Sequence, residues 1–574
     1  MKKNYLTGAA LIACTLMNAQ AFWTATSYKG AFPVTDNTTA TDWTNGWTNW
    51  DPENVNYATP TSTLTGDITS NTSISGVVYL NGFVHVKNNA ILTIAPGTVI
   101  RGKKDVTEPG VLIITRGSKI MAQGTASQPI VFTSNETVSN GRNPGDWGGV
   151  IILGNGIINT GGISQNPNVS KVEGFLTASA DRYYGGTNNS DNSGILSYIR
   201  IEFAGISLDP ATPNSEINGL TMGGVGSGTQ IDHIQVSFCG DDSFEWFGGT
   251  VDAKYLISNR GVDDDFDTDF GYSGRVQFGL AVRDQDFSDV ALANGASNGF
   301  ESDNSDPINL RFPLTKAIFS NMTIIGPKRN GTGTLPVGEK FECGIHIRRN
   351  SAQSIFNSLF IGWEKGLRLQ NAVTFDNYNT PATTADSLGV LANNIMTSNI
   401  PLHYISEGSA GSTTVTSLGW YQTYGTTNAI DTITTAAQID FVNGFPSGLE
   451  MTPDFRLNSS LAAANGASFS NSKFSGGFVG INELKNSFLN TISVYPNPAT
   501  DHITLTFDIK EKNTLTITLY DVLGNALNVI SQNESFEQGN HLLSIHTSNL
   551  SNGIYYIAVD MNGMKETKKI VINH

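Results

Sequence analysis

The feature that most constrains this chain is a step of 22 residues. Gly240–Gly249 reads GDDSFEWFGG and Val262–Gly271 reads VDDDFDTDFG, so Asp241, Asp242, Phe244 and Glu245 recur as Asp263, Asp264, Phe266 and Asp267. The same step separates GIHIR (Gly344–Arg348) from GLRLQ (Gly366–Gln370). Around these lie short runs of β-branched and aromatic residues closed by Gly, Asn or Ser, among them Ala90–Ile100, Val111–Gly124, Ile195–Ile206, Thr229–Gly240 and Ser354–Trp363. No amphipathic helix follows any of them, which argues against crossover βαβ units. A repeat of this length, built of strands and turns, suits one coil of a parallel β-helix, where each strand hydrogen-bonds to its equivalent in the next coil. A β-sandwich also supplies many strands, but it does not repeat side-chain type in register.

A repeat architecture also fits the length, since 574 residues exceed one ordinary core. With 60 glycines and only 15% charged residues, the composition is that of a β-rich, turn-dense extracellular protein. The formal charge of -16 and a pI near 4.9 argue against nucleic acid or an anionic membrane as partner, and accommodate either cation binding or plain solubility. Lys2 and Lys3, the apolar run Leu6–Met17 and Ala19-Gln20-Ala21 read as a secretory signal peptide over residues 1–21. Leu11-Ile12-Ala13-Cys14 offers the alternative of lipoprotein processing at Cys14. No later run has the length and apolarity of a transmembrane span. Cys343 shares parity with Ile345 and Ile347 and is expected to point inward. Cys239 has the opposite parity to Ile234, Val236 and Phe238, so a disulfide between the two is not favoured.

Several phrases carry a resemblance: TSYKGAF (Thr26–Phe32), GWTNWDPEN (Gly46–Asn54), IAPGTVIRG (Ile94–Gly102), RGSKIMAQGTASQPIVFTS (Arg116–Ser134) and GDWGGVIILG (Gly145–Gly154). Together they make residues 22–480 similar to a large group of secreted right-handed parallel β-helix proteins of Bacteroidetes-type bacteria. The resemblance implies a pectate-lyase-like fold and assigns no biochemical role. Phe22–Ala90 reads as an aromatic-rich N-terminal cap over exposed strand edges, and residues 400–480 as a C-terminal cap.

From Ile492 the pattern changes. Ser493–Phe507, Leu515–Asn525, Gly539–Val559 and Lys568–Ile572 are alternating strands at short spacing, the signature of a small β-sandwich. YPNPATD, LYDVLGN, LSNGIYY and the Lys-rich last strand resemble the type A C-terminal sorting domain of the type IX secretion system. That resemblance implies export through the periplasm and across the outer membrane, with the secretion machinery as partner of residues 492–574. It leaves open a surface-anchored or a released product. Residues 481–491, with NELKNSF, read as the linker. The expected class is therefore all-β: a parallel β-helix, then a small C-terminal β-sandwich.

The acidic phrases pose the functional question. If Phe244, Phe266 and Phe300 point inward, Glu245, Asp267 and Glu301 stack outward as one ladder, with Asp265, Asp269 and Asp303 beside it. Coils spaced about 4.8 Å apart bring like charges close, and such a ladder persists by binding a cation, by raising carboxyl pKa values or by splaying into water. Ca2+, which takes six to eight oxygens in flexible geometry, suits the first. Asp265-x-Asp267-x-Asp269 lacks the correctly placed Gly and the closing Glu of an EF-hand. A catalytic use draws on Asp241 and Asp242 as an acid and base pair, or on Arg348 and Arg368, with His346, as basic groups in a shared groove two or more coils on. The segments that complete a polygalacturonase site are missing. The blander alternatives are a solvated acidic face, Trp246 and Phe247 as packing rather than sugar-stacking residues, and His346 and Arg348 as surface polar groups. Two functions follow: a glycan-binding or adhesive surface protein, or a Ca2+-dependent polysaccharide lyase or hydrolase.

Overall fold

The computed structural model describes residues 22–33, 42–160, 168–175, 179–212, 215–290, 296–305, 311–328, 335–336, 338–363, 365–378 and 388–398. It also describes short segments at 404–406, 429–430, 441–443, 453–457 and 466–475, and then 489–509, 512–521, 526–561 and 564–574. The signal peptide with Cys14, most of the expected C-terminal cap and residues 481–488 of the expected linker lie outside the described residues. The chain divides into two units, Met1–Gly477 and Phe478–His574.

The first unit is a parallel β-helix. Parallel sheets run along it, and successive coils add their strands in register. Sheet I has ten strands, from Phe83–Val86 through Phe244–Phe247, Phe266–Asp269, Phe300–Ser302, Cys343–Ile347 and Lys365–Gln370 to Tyr404–Ser406. Sheets II and III are joined, because in the middle coils one long strand serves both. Gln230–Ser237, Asp252–Asn259 and Arg275–Val282 are such strands, paired in register on either side of one skipped residue.

That skipped residue makes the corner. Tyr198, His233, Tyr255, Phe278, Asn321, Asn357 and Asn393 all have positive φ, between +51° and +64°. The left-handed conformation turns the strand without breaking the ladder, at a cost that Asn bears best among non-glycine residues. In the earlier coils the cost is offset by stacking: Tyr198 on His233 at 4.3 Å, His233 on Tyr255 at 4.4 Å, Tyr255 on Phe278 at 5.1 Å. In the later coils Asn393 Nδ2 donates to Asn357 Oδ1 at 2.6 Å, and Asn357 Oδ1 also accepts from Ser468 N–H at 2.8 Å. Asn357→Val is expected to destabilise the β-helix by about 2–4 kcal/mol, through β-branched strain at positive φ and lost buried hydrogen bonds. Asn357→Gly loses only the hydrogen bonds. Calorimetric unfolding of the full chain separates the two.

The interior is apolar and stacked. Phe244, Phe266 and Phe300 lie one above the other at 5.5 and 5.3 Å between ring centroids, the first pair at the 22-residue step and the second across an insertion. The N-terminal segment behaves differently from a cap. Ala31, Phe32, Trp47 and Trp50 pack against Ile257, Leu280, Val282 and Ile325, along the flank of the middle coils. Thr24 N–H donates to Gln277 Oε1 at 2.8 Å, and Asn321 Nδ2 donates to the carbonyls of Tyr28 and Gly30. The corner column offers side-chain amides pointing outward, and an extended segment satisfies them better than an open coil end does.

Cys239 and Cys343 are both buried and free. Cys343 does lie in the sheet I strand with Ile345 and Ile347. Cys239 joins the core instead of facing away, because Phe238 at φ +54° reverses the alternation before it.

The second unit is an antiparallel β-sandwich. Leu489–Tyr495, His502–Ile509 and Gly539–His546 form one sheet; Ala526–Phe536, Asn513–Tyr520, Gly553–Met561 and Met564–Ile572 form the other. Ile503, Leu505, Phe507, Leu515, Ile517, Ile557, Val559 and Ile570 fill the space between them. The first strand begins at Leu489, so the last residues of the expected linker belong to the sandwich.

Candidate functional site

The outer side of sheet I changes character along the helix axis. Val111, Ile113, Ile151 and Leu153 make it apolar in the early coils. Then come Glu245, Asp267 and Glu301, in register on successive strands, followed by His346 and Arg368. Strand alternation that sends Phe244, Phe266 and Phe300 inward sends these outward.

Outward does not mean exposed here. The excursion between Leu153 and Gly194 folds back over sheet I, packing Ile158, Val172, Phe175 and Tyr184 on its apolar part and on Phe247. Its Glu173 reaches the acids, and Glu245 keeps only 4% of its surface, Asp242 7% and Asp303 4%. The solvated face expected from the charge is thus a roofed cluster. Trp246 stacks inside the core on Phe244 and Tyr272, and Phe247 on Tyr184 and Phe270 beneath the roof, so both are packing residues.

Two groups of carboxylates have oxygens within 4.8 Å of one another: Asp241 with Asp242 and Asp263, and Asp242 with Glu245 and Asp267. Asp242 belongs to both. It also accepts the backbone N–H of Asp264 at 2.8 Å, while Asp264 accepts that of Asn298, and Asn298 Oδ1 accepts that of Cys343 at 3.1 Å. This ladder of side chains onto the next coil's backbone holds the corner, and with it Asp242, in place. Glu245 accepts from Asn218 Nδ2. Asp267 Oδ1 is sealed from solvent and has no hydrogen-bond donor among the described residues.

Charge is balanced at one end only. Arg348 donates to Glu301 and, through Nε at 2.7 Å, to Asp303; Arg349 Nη1 donates to the other oxygen of Asp303 at 2.7 Å. Burial alone would raise Glu301, but Arg348 and His346 bring it down to about 2. At the other end, burial and then Asp267 push Glu173 up to about 8. Burial, with the neighbouring acids, also lifts Asp241, Asp242, Glu245 and Asp267 well above the usual carboxylate range. Asp269 is raised by burial and by Asp303, while its Oδ1 accepts the N–H of Phe270 at 2.6 Å.

Three expectations need correction. Asp265 does not join the ladder: it lies fully buried in the corner before the strand, where alternation does not hold. There Arg283 Nε donates to it at 3.0 Å and Ser258 Oγ at 2.6 Å. Arg348 stands three coils on from Asp242, as expected, but it is not a free basic group of a groove: it is bound to Glu301 and Asp303. His346 is not a surface group: it is 3% exposed, 2.9 Å from Gln370 and 3.5 Å from Glu301. Arg368 instead donates to Glu342 at 2.7 Å. Asp241 and Asp242, expected as catalytic candidates, gather with the metal-ligand candidates. Glu173 was missed, because no register relates a residue of an excursion to a coil.

Residues 62–443 match the pectate-lyase-like β-helix domain. The chain belongs to the pectate-lyase-like β-helix family. Residues 493–573 of this β-helix protein match the secretion system C-terminal sorting domain. The sorting domain directs export by the type IX system to the cell surface or the medium, and gives the chain the secretion machinery as partner. No curated protein matches the chain. Among the described residues no helix is long and apolar enough to cross a membrane.

Proposed function

We propose that this β-helix protein is a Ca2+-stabilised adhesive or glycan-binding protein of the cell surface, with the acidic cluster as a structural metal centre. The carrying observation is the roofed, unbalanced set of carboxylates around Asp242, with one oxygen of Asp267 sealed and without a donor. Buried like charges this close either hold protons or hold a cation. A hard, flexible ion with six to eight oxygen ligands fits carboxylates gathered from two successive coils. Asp242, Glu245 and Asp267 would hold one ion. The ion would tie two successive coils together beneath the excursion and keep sheet I rigid for binding elsewhere on the surface.

A second reading, a Ca2+-dependent polysaccharide lyase or hydrolase, draws on Arg348 lying next to the acids. It is the weaker of the two. Burial lowers Arg348, but Glu301 and Asp303 more than reverse this and hold it well above its ordinary value. An arginine bound by two carboxylates is a poor proton acceptor.

Calorimetric titration of Ca2+ into the full chain tests the metal centre. Wild-type protein is expected to bind in the micromolar range, and Asp242→Asn to bind about a hundredfold more weakly, since Asp242 serves both carboxylate groups. Equal affinity in the variant would sink the assignment. Turnover of an acidic polysaccharide by the Ca2+-loaded protein would reverse the order of the two readings.

A further inference from the structure

The sorting domain presents one sheet face that its own fold leaves uncovered. Ten large hydrophobic residues are exposed among the described residues, and six of them belong to this small unit: Tyr495, Leu527, Val529, Leu542, Ile554 and Tyr556. Strand register sorts most of them. Leu515, Ile517 and Leu519 point into the sandwich, so Thr518 and Tyr520 point out. Val529 lies opposite Thr518, Tyr556 opposite Tyr520 and Lys569, and Ile554 opposite Val571. The outer face of the four-stranded sheet therefore carries three exposed apolar side chains, Val529, Ile554 and Tyr556, around the buried Thr518 and Ala558, with Lys569 opposite Tyr556. The outer face of the other sheet is more polar: it carries Ser493, Thr504, Thr506 and Ser544, with Tyr495 opposite Thr504 and Leu542 opposite Thr506.

The edges of that four-stranded sheet are poorly suited to an added strand. At one edge, Asn497 Nδ2 donates to the Lys569 carbonyl at 2.9 Å and Asn497 Oδ1 accepts from Val571 N–H at 2.8 Å. Ala499 N–H donates to the Val571 carbonyl, and Asn573 N–H to the Ala499 carbonyl. The Tyr495–Ala499 loop thus occupies backbone groups in the C-terminal part of the last strand. At the other edge, Ala526–Phe536 shifts register three times against its neighbour, which twists it away from regular pairing. Strand addition is hindered over the C-terminal part of one edge of this sheet and by the irregular register of the other, which favours its outer face.

We propose that the secretion machinery docks on the outer face of the four-stranded sheet, against Val529, Ile554 and Tyr556. The partner surface is an apolar groove with an acidic group at its rim, complementary to the exposed Lys569 opposite Tyr556. The proposal stands apart from the Ca2+ reading.

The test is export of the full chain in a cell that has the type IX apparatus. Ile554→Thr/Tyr556→Thr replaces both apolar side chains with residues that strands tolerate. Leu542→Thr makes the same change on the other sheet. Surface plus medium protein is expected to fall about tenfold for the first and to stay near wild type for the second. Protease resistance of the retained sorting domain is measured in the same cells. Loss of export with a resistant domain supports docking on this face. Unchanged export, equal loss in both variants, or loss that follows loss of resistance would overturn it.

Discussion

In a chelator, the β-helix is expected to lose stability as pH rises from 5 to 8, and Ca2+ is expected to restore it. The sign follows from linkage. Glu173 is raised from 4.5 to about 8 by burial and by Asp267, and Asp242, Glu245 and Asp267 are raised as well. Between the unfolded and the folded pKa, the native state holds protons that the unfolded chain has released. Stability is therefore fullest below the unfolded value and falls as pH climbs toward the folded one. For Glu173 alone that window runs from 4.5 to about 8. The loss across it is on the order of 2–4 kcal/mol, or about 5 °C in Tm. Ca2+ at a thousandfold its Kd adds about 4 kcal/mol and does so most where the acids are ionised. Asp242→Asn/Asp267→Asn should flatten both dependences. Thermal scans of the full chain across this pH range, with and without Ca2+, decide it; a wild-type Tm that does not move with pH in chelator would remove the unbalanced cluster from the account.

The second large effect is expected at Arg283. Its guanidinium is fully buried, bound to Asp265, to the carbonyls of Gly261 and Asn298, and lies 5.7 Å from the Trp363 ring. Burial already raises Asp265 to about 6 despite Arg283 and Ser258. Arg283→Met leaves Asp265 buried without its cation and is expected to cost about 3–5 kcal/mol. Asp265→Asn/Arg283→Met removes the stranded charge and should recover most of that loss. Denaturant unfolding of the two variants reads the difference directly. A single variant no less stable than the double would mean that Asp265 is not charged in the native protein. The experiment also separates Asp265 from the acids around Asp242: Ca2+ affinity is expected to follow Asp242 and not Asp265.

Much of the site was legible before folding. The 22-residue step placed Glu245 over Asp267, and the Phe300-Glu301 phrase placed Glu301 next, across an insertion; the strand register agrees at each position. The inward phenylalanines followed from the same alternation, and Trp246 proved the packing residue that was one of its two readings. Asp265 broke the rule because it precedes the strand, in a corner where side-chain direction depends on backbone torsion. Cys239 broke it for a related reason, one left-handed residue upstream. Phe22–Ala90 reads as a cap from its aromatic residues, which near a terminus signal burial without saying against what. The corner amides of Gln277 and Asn321 supply the answer for its first part.

The sequence by itself determined the class of fold, the coil repeat, the acidic ladder and the sorting domain with its route out of the cell. These rest on local periodicity and short phrases, which act over a few residues or over one repeat. The tertiary structure alone decided what the ladder faces. The excursion that brings Glu173 over Asp267 obeys no period, and the ion pairs Arg348–Glu301 and Arg283–Asp265 join residues of different coils. Whether a carboxylate is solvated, paired or enclosed depends on what packs over it, and that is set by contacts between segments far apart in the chain.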